Sequence, residues 1–108
     1  MPAAFKTGSA VSGGSSVAGT TQDTSSSLTL ANGDVLYAIV ISSDGSPADP
    51  SGCKWDPTGV NESLTKLGST LSYGTYFRAS LYRGVCGAGG LTAKTAIVRG
   101  TWGASQGE

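Results

Sequence analysis

The chain is expected to be all-β: a small antiparallel β-sandwich or jelly-roll with a flexible Gly/Ser/Thr-rich N-terminal arm. Three observations carry this expectation. Short apolar runs recur between clusters of Gly, Pro, Asn, Asp and Ser; several of them alternate apolar and polar residues with the period of two that a half-buried strand requires; and no segment shows the periodicity of an amphipathic helix. At 108 residues the chain has the length of one domain, with room for a single core.

Residues 1–24 are expected to form the arm or an edge strand, and residues 25–108 the sandwich. From Thr7 to Ser27 the chain is mostly Gly, Ser, Thr and Ala, with Val11 and Val17 as its sizeable apolar residues. Such a segment buries too little to order itself and becomes fixed only against something else. Leu28 and Leu30 then alternate with Ser27 and Thr29, the pattern of a half-buried strand. Asn32-Gly33 follows as a tight turn and is a strong hairpin signal, because both residue types accept positive φ.

The run Val35 to Ile41 is apolar at every position, as expected of a central strand covered on each side or sitting at a sandwich core. Its β-branched residues and short length favour strand over helix. Ser42 to Gly52 reads as a surface loop, Cys53-Lys54-Trp55 as a short strand, Asp56 to Gly59 as a turn and Leu64 to Leu67 as a return strand. After the aromatic loop Ser72 to Tyr76, the run Phe77 to Arg83 alternates, with Phe77, Ala79 and Leu81 expected to face inward. A Gly-rich connection over 84–90 leads to a last long strand within 92–102. The sheet ending there is completed by another molecule or by the N-terminal arm.

Charge narrows the partners. Seven basic and seven acidic residues balance to zero, which removes the attraction that nucleic acid or an anionic membrane surface would need, so neither is expected as a partner. No apolar run approaches the roughly eighteen residues of a membrane span, and Met1 to Lys6 lacks the apolar core of a secretory signal. Surface hydroxyls with little net repulsion suit a molecule that lives in an assembly.

Chemistry is poorly supplied. With no histidine, a Ser80 or Cys86 nucleophile lacks its usual base, and thiolates at Cys53 and Cys86 lack the partners of a zinc site. The two cysteines are read as buried or free thiols, with a single disulfide as the alternative. Asp34, Asp44, Asp49 and Asp56 adjoin Gly or Pro or fall in turn-rich loops, where Asp caps the backbone; Glu62 is the remaining acid in reach of a carboxylate pair. Asp44 and Asp49 lack calcium-loop spacing, and Gly84 to Gly90 lacks the residues of a phosphate cradle. No enzyme, metal or cofactor is expected. Trp55, Tyr73 and Tyr76 are the residues singled out for glycan or partner contact, because aromatic faces stack on sugar rings; core or edge packing is the other reading for all three. Asn61-Glu62-Ser63 matches a glycosylation acceptor pattern.

Gly33-Asp34-Val35-Leu36, Trp55-Asp56-Pro57, Leu64-Thr65-Lys66-Leu67, Arg78-Ala79-Ser80-Leu81-Tyr82 and Thr95-Ala96-Ile97-Val98 together span about the last three quarters of the chain. Through this pattern of strands, rather than an invariant motif, the chain resembles β-sandwich structural domains of tailed-bacteriophage virion proteins. The resemblance implies a non-enzymatic virion component, a capsid decoration, cement or tail-associated fibre protein, assembled in the host cytoplasm. Its partners would be other virion proteins and copies of itself, joined by surface packing and arm exchange. The alternative is a carbohydrate-binding module on an exposed surface.

Overall fold

The structure, a computed structural model, describes residues 10–14, 19–43 and 47–106, with side chains placed to residue 104. Among the described residues nine strands run in chain order: β1 Gly19–Asp23, β2 Leu28–Thr29, β3 Val35–Ser42, β4 Pro50–Trp55, β5 Glu62–Ser63, β6 Thr65–Tyr73, β7 Phe77–Val85, β8 Thr95–Ala96 and β9 Val98–Gln106. A four-stranded sheet ordered β1-β9-β4-β5 and a three-stranded sheet ordered β3-β7-β6 make the two layers, and the short ribbon β2-β8 completes the strand set. Every pairing between these strands is antiparallel. The fold is all-β and sandwich-like.

The core lies between the layers. Leu28, Leu30, Leu36, Val40, Cys53, Trp55, Leu64, Tyr82, Cys86, Leu91, Ala96 and Val98 form one buried cluster, drawn from both sheets and the ribbon. Trp55 is its keystone, with no accessible surface and its indole N–H donating to the Thr92 carbonyl at 2.9 Å. Two glycines let main chain come close to this cluster: a Cβ at Gly100 would lie 2.9 Å from Val40 Cγ1, and one at Gly84 would lie 2.6 Å from Leu91 Cδ1.

Several expectations change in the folded chain. Asn32-Gly33 does make a tight turn, with Gly33 at φ 94°, but the flanking strands do not pair with each other. β2 pairs with β8 and β3 with β7, so the turn is a corner between sheets. Leu64 is a similar pivot: β5 before it pairs with β4, whereas β6 after it pairs with β7. The last long strand divides at Ile97 into β8 and β9, because the two halves answer to different partners.

At the start of the chain, β1 pairs with β9 as an edge strand, and the last strand is thereby completed by an N-terminal segment of the same molecule. Asp23 and Arg99 clamp this pair through two contacts, at 2.5 and 2.9 Å. Residues 1–9 and 15–18 of the expected arm lie outside the described residues, as does Asp44 in the loop after β3.

The largest corrections concern β3 and β7. β3 is an edge strand of its sheet, and its odd-numbered residues Val35, Tyr37, Ile39 and Ile41 are exposed instead of covered. In β7 the expected phase is reversed: Ser80 and Tyr82 face the core, while Leu81 faces outward. The polar atoms that this phase buries are satisfied, with Ser80 Oγ 2.8 Å from Thr70 Oγ1, Tyr82 hydroxyl donating to the Pro50 carbonyl at 3.4 Å, and neighbouring Ser42 Oγ donating to the Ala48 carbonyl at 2.7 Å. Hydrogen bonding makes a hydroxyl-bearing inner face affordable, and that frees the apolar face to point outward.

Candidate functional site

The outer face of the β3-β7-β6 sheet is what the fold leaves uncovered. Residues directly opposite in antiparallel strands project from the same face, so the registers build it row by row. Val35 stands beside Val85; Tyr37 beside Arg83 and Thr65; Ile39 beside Leu81 and Leu67; Ile41 beside Ala79 and Leu71. Phe77 and Tyr73 close the far end next to the β6-β7 turn. Between Leu67 and Leu71 the pairing of β6 is irregular, with Gly68 at φ 68°, yet Leu71 returns to the same face.

Exposure decides the reading. Ile39 is 67% accessible, Leu71 64%, Tyr37 59% and Ile41 47%. With Val35, Leu67, Leu81 and Val85 added, the apolar residues leave roughly 800 Å² open, against the few hundred Å² of a typical monomer's largest apolar patch. Arg83 is the single charged residue on this face. Its Nε donates to the Tyr37 hydroxyl at 3.3 Å and its guanidinium lies 5.9 Å from the Tyr37 ring centroid, an arrangement that shields the charge on the ring face. No acidic residue occurs in β3, β6 or β7.

A second feature flanks the same sheet. The free edge of β3 borders a groove of about 480 Å³ whose floor includes Leu36, Val40, Cys53, Val98 and Trp102, with Val11 at its rim. Trp102 Nε1 is buried there and meets no acceptor among the described residues. Burial in this apolar region raises the Cys53 thiol to about 11, which keeps it protonated and unreactive at neutral pH. Both cysteines are buried, and neither is in a disulfide.

The three aromatic residues singled out from the sequence come apart. Tyr73 and Tyr76 sit at the β6-β7 turn, 81% and 63% exposed, and Tyr73 extends the apolar face. Trp55 cannot share a surface with them, because its ring is fully enclosed in the core. The acids serve the backbone. Asp56, at φ 49°, accepts from the Val60 amide at 2.9 Å and from Lys94 Nζ at 2.6 Å; that ammonium, followed by the amide, holds its carboxyl below the usual range. Glu62 accepts from the Thr92 amide at 2.7 Å and the Thr92 hydroxyl at 2.9 Å, and Asp34 accepts from the Ala31 amide. Asp49 lies 3.4 Å from Arg78.

The exposed apolar face itself was not singled out from the sequence, although two signals for it were present: the doubly apolar run of β3 and the alternation of β7. Comparison with family models, curated proteins and solved structures finds no match for this chain.

Proposed function

We propose that the chain is a non-enzymatic structural component of a virion, a decoration, cement or tail-associated protein that works by packing its surface against neighbours. One observation carries the reading: the three-stranded sheet turns its hydroxyl-bearing side inward and Ile39, Ile41, Leu71 and Leu81 outward, an inversion that a free-standing domain has no use for. A zero net charge and no acidic group on the face favour packing over electrostatic capture. The virion assignment rests on the resemblance of the strand pattern to phage structural sandwiches. The groove beside the free edge of β3 gives an exchanged arm a place to add as a strand.

The test is sedimentation of the purified chain with unadorned capsids and with tails. Pelleting at fixed stoichiometry, lost in Leu71→Asp, supports the reading; a chain that stays in the supernatant with both particles overturns it.

A glycan-binding role is the second reading, favoured by the exposure of Tyr73 and Tyr76 in one turn. Binding on a glycan array that Tyr76→Ala abolishes and Leu71→Asp spares would support it.

A further inference from the structure

We infer that the occupant of the outer β3-β7-β6 face is a second copy of this chain, stacked sheet to sheet about a two-fold axis. The inference rests on the packing role proposed above and names the partner of that surface.

Area is the first ground. The open apolar surface of roughly 800 Å² is what each partner contributes to a standard stable interface of about 1,600 Å². The middle of the patch is free of charge, as the centre of a homodimer interface is expected to be. Flat sheets also stack naturally on one another, at a separation near 10 Å, and thereby build a second core.

Self-complementarity is the second ground. A two-fold axis running across the strands through the Ile39-Leu81-Leu67 row reverses the strand direction of the second copy. The row two residues to one side, which holds Arg83, then lies over the row two residues to the other side, which holds Ala79. The guanidinium therefore meets the smallest side chain on the face, and the two Arg83 groups stay apart. The Val35-Val85 row lies over the Phe77-Tyr73 end, so aliphatic side chains meet aromatic ones. An axis running along the strands would instead place Arg83 near its own copy and is disfavoured by charge. Between whole molecules there is no net repulsion to overcome, since each chain carries equal numbers of acidic and basic residues.

Sedimentation velocity of the purified chain, over about 1 to 500 µM, tests the inference. The expected result is a species of twice the chain mass, with half-dissociation in the micromolar range or below, and conversion to monomer in Leu81→Lys with an unchanged circular dichroism spectrum. Ile39→Ser is the milder second variant, expected to weaken association at least about tenfold if Leu81→Lys misfolds. Arg83→Ala is expected to leave the dimer affinity nearly unchanged, whereas tighter association in that variant, by relief of an Arg83-Arg83 repulsion, would overturn the axis across the strands. A monomer throughout that nonetheless pellets with capsids overturns the inference and leaves the packing role standing, with the shell protein as occupant. A monomer throughout that pellets with no particle overturns both.

Discussion

Ile39 and Leu81 stand directly opposite one another on β3 and β7, and both point away from the core, 67% and 37% exposed. One residue away on the same strands, Val40 and Ser80 are opposite one another and buried. The sheet is thus more apolar on the side that the single chain leaves open.

This arrangement separates two substitutions in one strand. At concentrations where the chain is monomeric, Ile39→Thr is expected to change unfolding free energy by less than about 0.5 kcal/mol, because the side chain already meets water. Leu36→Ala, on the inner face, is expected to cost about 2 to 5 kcal/mol. Urea unfolding of the two variants checks the assignment of faces; equal losses would mean that β3 is turned the other way.

Trp55 is expected to be the costliest single truncation. Trp55→Ala removes the largest fully buried side chain and should cost about 3 to 5 kcal/mol. Trp55→Phe keeps most of the volume but removes the donor to the Thr92 carbonyl, and a smaller loss of about 1 to 3 kcal/mol is expected. Any ligand binding by the Tyr73-Tyr76 turn should survive Trp55→Phe.

Cys53 and Cys86 are expected to be silent to a thiol reagent at pH 8 in the native state. Both are buried, and burial pushes the Cys53 thiol up to about 11. Reaction should accelerate at least about a hundredfold in denaturant, and then report two thiols per chain.

Acid should loosen the β1 edge and the Asp56 turn. The Arg99 guanidinium beside Asp23 and the Lys94 ammonium beside Asp56 hold both carboxyls below their ordinary range in the folded chain. The unfolded chain therefore binds protons first, so the stabilisation is complete above the unfolded value of about 4 and is lost as pH falls through the depressed folded values. A pH series of thermal unfolding should show stability falling below about pH 4, with a shallower fall in Asp23→Asn. Salt should reduce the Asp23-Arg99 part, since both side chains are partly exposed.

Much of the fold was legible in local patterns. Period-two alternation located β7, the apolar run located β3, and turn residues located the corner at Asn32-Gly33 and the β4-β5 turn at Asp56 to Gly59. The buried face was legible at Leu28 and Leu30, which alternate with exposed Thr29, but not in β3 or β7. Alternation gives the period but not the phase, and the rule that apolar residues face inward fails when hydroxyls find partners inside, as Ser80 does with Thr70. In β3 an apolar residue at every position suggests a central strand or one at a sandwich core, but the strand is an edge strand with only one face buried. Strand partnership was also hidden, because the turn at Gly33 and the pivot at Leu64 pass the chain between sheets whose pairing is set by distant residues. Of the candidate contact residues, Tyr73 and Tyr76 lie in a Gly-containing turn that keeps them at the surface, whereas Trp55 ends a strand whose alternate residues face the core.

On the proposed packing role, the outer face of β3-β7-β6 is covered when the protein is at work. Reactivity of a thiol placed on that face measures this directly, because the native cysteines are buried. Ile39→Cys puts the reporter at the centre of the face, and Thr58→Cys puts a control in an exposed turn. As the chain is concentrated from about 1 to 500 µM, or mixed with capsids, the labelling rate should fall about tenfold or more in Ile39→Cys and stay constant in Thr58→Cys. Equal and unchanging rates at both positions under every condition would show that this face stays open to solvent and is not a packing surface.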